Sequence, residues 1–329
     1  MSAPIIAFFN NKGGVGKTSL VYHLSWMYAD LGLKVLASDL DPQANLTASF
    51  LDEEQLEEFW PDGDHSKTIY GSIEPLLRDV GDIAENPYAE EIDERIHLII
   101  GDLALSRFED ELSRQWPLCL DGKERAFRVE SAFWRIMRRI IDRSSIDVAL
   151  IDLGPNLGAI NRSALLAADY LVIPLIPDLF SLPGLKTLGP SVREWRNGWQ
   201  ERLKKNPVKD LELPEGRMTP LGYLIMQHAE KMGRPRRWAE RIPTVYSEEV
   251  LGEELGLIKG TTKGNQLGLI KHYRSLVPMA QEAHKPIFHL LPADGAIGSH
   301  QKGVSEARDN FHQVALEIAD RCQIVIPEY

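Results

Sequence analysis

Cysteine and long apolar runs are both scarce in this chain of 329 residues, and each scarcity excludes a class of protein. The two cysteines, Cys119 and Cys322, provide neither a metal-ligand spacing nor a disulfide framework. No run of about 18 apolar residues is present, so we expect no membrane-spanning helix. The N-terminus also lacks a basic region followed by an apolar stretch, so we expect no secretory signal. These absences together predict a protein of the reducing cytoplasm.

Positive charge is scarce overall, but it is unevenly distributed along the chain. The formal net charge of −11 argues against a polyanionic partner for the chain taken as a whole. Residues 51–130, however, hold 22 Asp plus Glu against 8 Lys plus Arg, so the rest of the chain is positive by 3. The sequence therefore still allows a basic face formed by residues outside 51–130. The 43% of hydrophobic residues is enough for a sizeable core.

One glycine-rich segment, residues 8–19 with the sequence FFNNKGGVGKTS, lies between an apolar run of strand length and an apolar helical run. Such a loop aims backbone N–H groups at a polyphosphate, and the helix behind it adds its positive dipole end. Lys17 would then reach the terminal phosphates and the Thr18 hydroxyl would ligate Mg²⁺. The predicted nucleotide contacts in the loop are Asn11, Lys12, Gly13, Gly14, Val15, Gly16, Lys17, Thr18 and Ser19.

Two features of this loop depart from the usual phosphate-loop pattern. Asn11 stands where that pattern has a glycine, and Lys12 is an additional cation. Residues 12–18, KGGVGKT, resemble the deviant Walker A loop of the ParA/MinD family of dimerising ATPases. The resemblance implies that Lys12 reaches across a dimer to the partner's nucleotide, so that Lys12 and Lys17 are both catalytic.

A pair of carboxylates follows the second predicted strand, residues 34–38. Asp39 and Asp41 are one residue apart at the carboxyl end of this strand, the edge where parallel sheets bind ligands. Such a pair can orient water or Mg²⁺ beside a γ-phosphate, although Asp-Pro and Asn are also ordinary turn residues. The sequence DLDPQAN resembles the switch I sequence of the same family. That resemblance implies that Asp41 positions the attacking water and that Asp39 supports the Mg²⁺ shell.

A third carboxylate, Asp152, ends the apolar run 148–151 and precedes a Gly-Pro turn. This is the Walker B arrangement, in which a buried strand delivers a carboxylate towards Mg²⁺. The Ala-rich helix after it and the strand at 170–174 also resemble the family. The resemblance therefore covers residues 4–190 apart from the acidic segment, and the predicted metal ligands are Thr18, Asp39 and Asp152.

These motifs predict the α/β class, and specifically a P-loop NTPase with a mostly parallel twisted sheet and helices on both faces. We expect one ATPase domain over residues 1–329 and, since the first strand begins near residue 4, no N-terminal helix-turn-helix. An acidic insertion-like segment at about 51–95 is either a solvated face or a protein-binding insertion. Further elements predicted from the sequence are a polar surface helix at 105–112, a helix at 126–143, a mobile connection at 252–274 and a terminal amphipathic helix at 303–322.

Two predictions concern ligand contacts in the C-terminal half. Gln227 ends a predicted strand where relatives often place a polar residue near adenine, although an ordinary strand-end glutamine fits equally. Residues 231–241 hold five cations against one anion, a density that suits phosphate binding without sequence readout, although a solvated loop has a similar composition. The predicted DNA contacts are Arg234, Arg236, Arg237 and Arg241. The apolar residues 323–329 lack a basic stripe, so we expect no membrane contact.

The family resemblance implies a function as well as a fold. A ParA-like ATPase would dimerise around ATP and Mg²⁺, bind nonspecific DNA, and release it on hydrolysis stimulated by a ParB-like or other partner. It would partition a plasmid, a chromosome region or other cargo, and it would be cytoplasmic and nucleoid-associated when ATP-bound. Two alternatives stay open: a metabolic P-loop enzyme with no DNA role, and a nucleotide-dependent adaptor that recruits a protein through the acidic residues 51–130.

Overall fold

One large sheet organises the residues that the computed structural model describes, namely 3–60, 63–78, 80–228, 240–251 and 264–327. Its strands are β1 (Ile5–Phe8), β2 (Val35–Asp39), β3 (Glu90–Asp93), β4 (Ile96–Ile99), β5 (Val148–Asp152), β6 (Tyr170–Leu175), β7 (Thr219–His228) and β8 (Gln266–Lys271). Their order across the sheet is β3-β4-β2-β5-β1-β6-β7-β8. Six of the seven neighbouring pairs are parallel, and only β3 pairs with β4 in the antiparallel sense. The predicted mostly parallel sheet is confirmed.

Helices cover both faces of this sheet in the described residues. They are α1 (Lys17–Asp30), α2 (Asn45–Phe50), α3 (Glu53–Phe59), α4 (Ile69–Leu77), α5 (Phe108–Leu118), α6 (Glu124–Glu130), α7 (Ala132–Ser144), α8 (Ala159–Ala167), α9 (Ser181–Leu203), α10 (Ile242–Val245), α11 (Leu276–Glu282) and α12 (Ser299–Cys322). Short 3₁₀ turns occupy Leu103–Arg107, Ile287–His289 and Pro292–Asp294, and a π-helical turn occupies Tyr246–Leu251. None of the helices described is long and apolar enough to cross a membrane.

The period of two along β1 divides the core between the two faces of the sheet. Ile5 and Ala7 pack in the core that α5 to α9 cover, whereas Ile6 and Phe8 pack beneath α1 and α12. Because β1 is buried along its whole length, the loop after it leaves the sheet from the centre of the molecule. The carboxyl ends of β1, β2 and β5 therefore lie side by side, which positions the site.

Three predicted elements differ from the structure. The helix predicted at 126–143 is two helices, α6 and α7, which are separated at Ser131, where the chain leaves helical geometry. The helix predicted on the polar surface at 105–112 is a 3₁₀ turn followed by α5, whose Phe108 and Leu112 are buried. The mobile connection predicted at 252–274 contains β8, so that prediction is wrong for Gln266–Lys271.

The acidic segment contributes an edge of the sheet rather than only a solvated face. Its exposed helix α3 begins with a capping box between Asp52 and Gln55. Further along, β3 pairs with β4 at the edge of the sheet. Trp60 ties the segment to the strand end, since its indole N–H donates to Gly101 O at 3.0 Å.

Candidate nucleotide-binding site

The loop between β1 and α1 adopts the backbone form that its glycines permit. Gly14 and Gly16 have φ angles of 71° and 87°, in the left-handed region that favours glycine. Gly13 and Gly14 are exposed, whereas Val15 and Lys17 are buried. The loop thus presents backbone to solvent at the point where α1 begins, as a phosphate-binding loop requires.

A pocket of about 770 Å³ opens beside this loop, which is within the range of small-molecule sites. Residues 13–19 form one wall and Asp41 lies on another. The remaining wall comes from the C-terminal part of the chain and consists of Val277, Ala280, Gln281, His284 and Ile287. The sequence predictions did not include this wall, although the Glu-Ala and Pro-Ile turn at 280–287 loosely resembles a family turn. The side chain of Gln227, predicted to lie near adenine, falls outside the described part of β7.

Lys17 is a buried cation inside the loop. Its Nζ donates to Asn10 O at 3.2 Å and to Lys12 O at 3.4 Å, and the residue is only 7% exposed. Burial lowers the pKa of Lys17, while the carboxylates of Asp152 and Asp41 oppose that shift. The predicted phosphate-binding lysine therefore lies close to two of the predicted acidic residues.

Thr18 and Asp152 contact each other at the start of α1. The Thr18 hydroxyl donates to Asp152 Oδ2 at 2.6 Å. The other oxygen of this carboxyl, Oδ1, is buried and has no hydrogen-bond partner among the described residues. Burial raises the pKa of Asp152 to about 8, and the nearby Asp39 adds to the shift. Buried carboxyl oxygens without a partner are costly, so this point of the structure favours a cation.

A Mg²⁺ ion fits the chemistry of these two residues. Hydroxyl and carboxylate oxygens are the ligands that Mg²⁺ prefers, and the buried Oδ1 of Asp152 is available to it. Mg²⁺ is usually held by one or two carboxylates together with phosphates and water rather than by a complete protein cage. Consistent with that, no group of three or more His, Cys, Asp or Glu in the described residues could hold a metal by itself.

Asp39 and Asp41 differ in their surroundings although they are one residue apart. Asp39 is fully buried, and its Oδ2 accepts hydrogen bonds from the N–H and the hydroxyl of Thr47, both at 2.8 Å. Burial raises the pKa of Asp39 to about 7. Asp41 lines the pocket, and its Oδ1 accepts from Gln43 N at 3.0 Å. Asp41 is therefore the carboxylate that a bound substrate can reach, while Asp39 lies behind it.

Lys12 forms an ion pair within its own chain. Its partner is Asp178, which lies just before α9, and its Nζ also lies 5.7 Å from the centre of the Phe180 ring. Asp178 Oδ1 accepts from the N–H groups of Phe180 and Ser181 at 3.0 and 3.1 Å. Burial is the largest single influence and would raise the pKa of Asp178, but the hydrogen bond and charge of Lys12 together with the hydrogen bonds from Phe180 and Ser181 outweigh it, so the pKa is lowered. No local pattern predicts this contact, which joins residues 166 positions apart.

The loop after β5 closes the site between the phosphate loop and Asp41. A Cβ added at Gly154 would lie 3.1 Å from Asp41 Oδ1, and one at Gly13 would lie 3.8 Å from the Pro155 ring. Asn161 in the first turn of α8 holds this loop, since its Nδ2 donates to Gly154 O at 2.9 Å and to Asn156 O at 2.6 Å. These contacts were not predicted from the sequence.

The predicted DNA contacts lie mostly outside the described residues. Arg234, Arg236 and Arg237 fall in the undescribed range 229–239. Arg241 is exposed and stands immediately before α10. The DNA-binding surface therefore stays a prediction.

The sequence matches known proteins over the part that contains the phosphate loop, Asp41 and Asp152. Residues 3–205 match the family model described as AAA domain, and this range contains all the predicted phosphate-loop and metal residues. Over 239 residues the chain is 28% identical to sporulation initiation inhibitor protein Soj of Bacillus subtilis, which covers 73% of this chain and 83% of Soj. Several other curated relatives are longer, and the chain spans about 40 to 45% of their length.

Two solved structures share the fold of this chain. Protein DIP2308 of Corynebacterium diphtheriae superposes with a TM-score of 0.74 at 24% identity, covering 97% of this chain and 98% of that chain. The ATP complex of a single-residue variant of McdA from Cyanothece gives a TM-score of 0.65 at 14% identity, covering 100% of this chain and 99% of that chain. At these sequence identities, the similarity shows a shared fold only.

Proposed function

Because the chain belongs to the AAA domain family, and within it to the ParA/MinD group of P-loop ATPases, we propose that it binds and hydrolyses ATP as a dimerising switch. The main support is that Lys17, Thr18 and Asp41 line one pocket of about 770 Å³, while the buried Asp152 accepts a hydrogen bond from Thr18 behind it. The unpartnered buried oxygen of Asp152 is what a nucleotide-bound cation would satisfy. The ATP held by the structurally similar McdA is consistent with this proposal.

Each of these side chains has a distinct part in the proposed reaction. The backbone N–H groups of residues 13–18 and the ammonium of Lys17 bind the phosphate oxygens. Thr18 and Asp152 would hold Mg²⁺, which would supply positive charge to offset the charge of the phosphates. Asp41 accepts a hydrogen bond from the attacking water and directs it at the γ-phosphate. Asp39 stays behind this group and fixes the switch loop through Thr47.

Dimerisation is the part of the proposal that involves Lys12. In the single subunit this side chain pairs with the partly exposed Asp178. Leu179 and Phe180 next to it are 56% and 65% exposed, which is unusual for large apolar side chains. A second copy of the chain meeting this face would cover them and would offer Lys12 a phosphate in place of Asp178.

We propose that the ATP-bound dimer binds DNA. Each subunit of a dimer would contribute the five cations of residues 231–241. The chain outside residues 51–130 also carries a net charge of +3. Loss of the γ-phosphate would loosen the loops that hold the dimer closed, and so release the DNA. A ParB-like or other protein partner would stimulate this step. Partition or positioning of a plasmid, chromosome region or other cargo would be the result.

Two variants test the ATPase proposal. We expect Lys17→Ala to weaken ATP binding by about 10- to 100-fold, since a charge-assisted contact to phosphate is worth about 1.5–3 kcal/mol. We expect Asp41→Ala to bind ATP nearly as well as the wild type but to lower turnover about 100-fold. Binding would be followed with a fluorescent ATP analogue, and turnover by phosphate release with and without DNA.

The same measurements separate the alternatives. ATP turnover that DNA leaves unchanged, in a protein that stays monomeric with ATP, would favour a metabolic enzyme. Dimerisation with ATP but no DNA binding would favour an adaptor. If Lys17→Ala binds ATP as tightly as the wild type, the proposed nucleotide site is wrong.

A further inference from the structure

The helix that follows the loop after β5 is capped by a residue from a distant part of the chain. Helix α8 begins at Ala159, and its N-cap residue Gly158 has no side chain to accept the first backbone N–H groups. Glu109 on α5 takes this role, because its Oε1 accepts from Ala159 N at 2.5 Å and its Oε2 from Ile160 N at 2.9 Å. Both carboxylate oxygens are thus used on the first turn of α8, where the helix dipole also favours negative charge.

The carboxylate lies directly against the backbone of the loop. A Cβ added at Gly158 would lie 2.6 Å from Glu109 Oε1 and 2.8 Å from Asn156 Oδ1. Side chains other than glycine therefore do not fit at position 158 while Glu109 stays in place. The contact is a close, two-point attachment and not a general surface attraction.

This attachment leads to the proposed reaction centre through one further residue. Asn161, in the same first turn of α8, donates to Gly154 O and Asn156 O. Gly154 stands next to Asp41, and Pro155 stands next to Gly13 of the phosphate loop. The position of the first turn of α8 therefore determines where residues 154–156 stand beside Asp41 and the phosphate loop.

Helix α5 is itself firmly held, so it can serve as a fixed support. Its Phe108 and Leu112 are buried in the core. At its other end the Trp116 ring is contacted by the guanidinium groups of Arg162 and Arg202, which lie 4.4 and 3.7 Å from the ring centre. Arg162 belongs to α8 and Arg202 to α9, so Trp116 and Glu109 fix α5 against α8 at two points.

We propose that Glu109 is a positioning residue for ATP hydrolysis, which fixes the loop 154–156 relative to Asp41 by holding the first turn of α8. The inference rests on the proposed ATPase function. Hydrolysis depends on the alignment of water and phosphate, and a misplacement of about 1 Å can cost about 100-fold in rate. ATP binding depends mainly on the phosphate loop, which Glu109 does not touch. Loss of Glu109 should therefore lower kcat and leave ATP affinity nearly unchanged.

Glu109→Gln is the central test. Glutamine has the same length, but its amide nitrogen is a donor and cannot accept from Ala159 or Ile160, so at most one of the two hydrogen bonds remains. We expect kcat to fall at least about tenfold while the dissociation constant for ATP changes less than about threefold. Asp110→Asn is the matched control, since it removes the same charge from the next residue, which is exposed. We expect its kcat to equal that of the wild type.

A double-mutant cycle tests the route through Asn161. Asn161→Ala should lower kcat in the same selective way, and its combination with Glu109→Gln should cost less than the product of the two single effects. Multiplicative effects would show that the two residues act independently and would overturn the route. A fall in kcat matched by the loss of folded protein, measured by thermal unfolding, would show a merely structural role and overturn the proposal.

Hydrogen exchange provides a readout that does not depend on turnover. In the nucleotide-free protein, we expect Glu109→Gln to speed exchange at the amides of Ala159 and Ile160 and at those of Gly154 and Asn156, with no change in Asp110→Asn. Unchanged exchange in Glu109→Gln would overturn the inference whatever the ATPase results. A wild-type protein that neither binds nor hydrolyses ATP would instead overturn the proposed function, so the two failures are distinguishable.

Discussion

The ion pair between Lys12 and Asp178 must break before Lys12 can contact a nucleotide in a second subunit. Asp178→Asn removes the charge that holds Lys12, while asparagine Oδ1 can still accept from the N–H groups of Phe180 and Ser181. Because the pair is partly exposed, it is worth at most about 1 kcal/mol. We therefore expect the dissociation constant of the ATP-dependent dimer to be lower in Asp178→Asn than in the wild type, by up to about fivefold for each Lys12 that is released.

Sedimentation velocity with ATP over a range of protein concentrations would measure this effect. Asp178→Ala is the comparison variant, because it removes both the ion pair and the acceptor at the start of α9. A dimer of Asp178→Asn that is weaker than the wild-type dimer would mean that Asp178 supports the interface rather than restraining Lys12.

His23 should make the stability of the fold depend on pH. Its ring is buried between α1 and α12, with Nδ1 2.6 Å from Ser19 O and with Nε2 accepting from Ile287 N at 3.2 Å. Burial lowers the pKa of His23 to about 4. Since the folded value is below the unfolded value of about 6.5, the neutral ring stabilises the fold above pH 6.5, and this contribution is lost as the pH falls towards 4.

Between pH 7 and pH 5, His23 alone should therefore lower the free energy of unfolding by about 2 kcal/mol. Urea unfolding of the wild type and of His23→Gln at both pH values would measure it. Glutamine keeps a donor and an acceptor but does not titrate, so the stability difference between the two proteins should shrink by that amount at pH 5. An unchanged difference would mean that His23 is accessible to protons in the folded protein.

The residues that could be predicted are those whose role is contained in a local pattern. Lys17 and Thr18 follow three glycines, and Asp152 ends an apolar run that comes after the phosphate loop in the chain and is followed by a Gly-Pro turn, so these patterns predict them. Asp178 and Glu109 could not be predicted, because their partners are 166 and 50 residues away and the pairing arises only when the sheet forms. Long-range contacts of this kind carry no spacing signal in a single sequence.

At the scale of elements, the contact between α9 and the π-helical turn Tyr246–Leu251 depends on one missing side chain. A Cβ at Gly189 would lie 1.8 Å from Glu249 O, a backbone atom that cannot move aside alone. Gly189→Ala should gain about 1 kcal/mol of helix propensity but lose more through overpacking. We expect a net loss of roughly 1–2 kcal/mol in the free energy of unfolding, or detachment of the turn from α9.

The same substitution elsewhere in α9 is the control. A Cβ at Gly184 would meet its nearest neighbour, Asn11 Oδ1, at an ordinary 3.4 Å. Gly184→Ala should therefore keep the propensity gain and leave stability equal or slightly higher. Urea unfolding would compare the two variants. A Gly189→Ala protein as stable as Gly184→Ala would contradict the close packing of α9 on this turn.

Elements could be predicted where a strong period coincided with burial. Helix α12 was predicted because Ala307, Phe311 and Ile318 recur at helical spacing, and all three are buried. Strand β8 was missed because it is short and contains Gly268, and because only Leu267 and Ile270 of its side chains are fully buried. It belongs to the sheet because it pairs with β7, and no local pattern in the sequence predicts that pairing.

At the scale of the whole molecule, the separation of charge suggests how a protein of net charge −11 could still bind DNA. The acidic residues are concentrated in positions 51–130, and the strands that this segment contributes, β3 and β4, form one edge of the sheet. The cations of residues 231–241 follow β7 in the sequence, and β7 and β8 are the last two strands at the opposite end of the strand order. A dimer of two such subunits would carry two of these basic segments, whereas one subunit carries only one.

This arrangement predicts DNA binding that depends on ATP and falls steeply with salt. With four arginines from each subunit, a dimer would neutralise about eight phosphates, so affinity should fall about 10³- to 10⁵-fold between 50 and 200 mM salt. Replacing Arg234, Arg236, Arg237 and Arg241 by alanine should flatten this dependence without affecting ATP-dependent dimerisation. The control removes the exposed cations Lys204, Lys205 and Lys209 and should change the slope little. Fluorescence anisotropy with unrelated DNA duplexes would measure all three proteins. If the salt dependence of DNA affinity is the same in both variants, the attraction comes from the overall charge rather than from these arginines. If the protein binds DNA equally well with ATP and with ADP, DNA binding does not depend on the nucleotide.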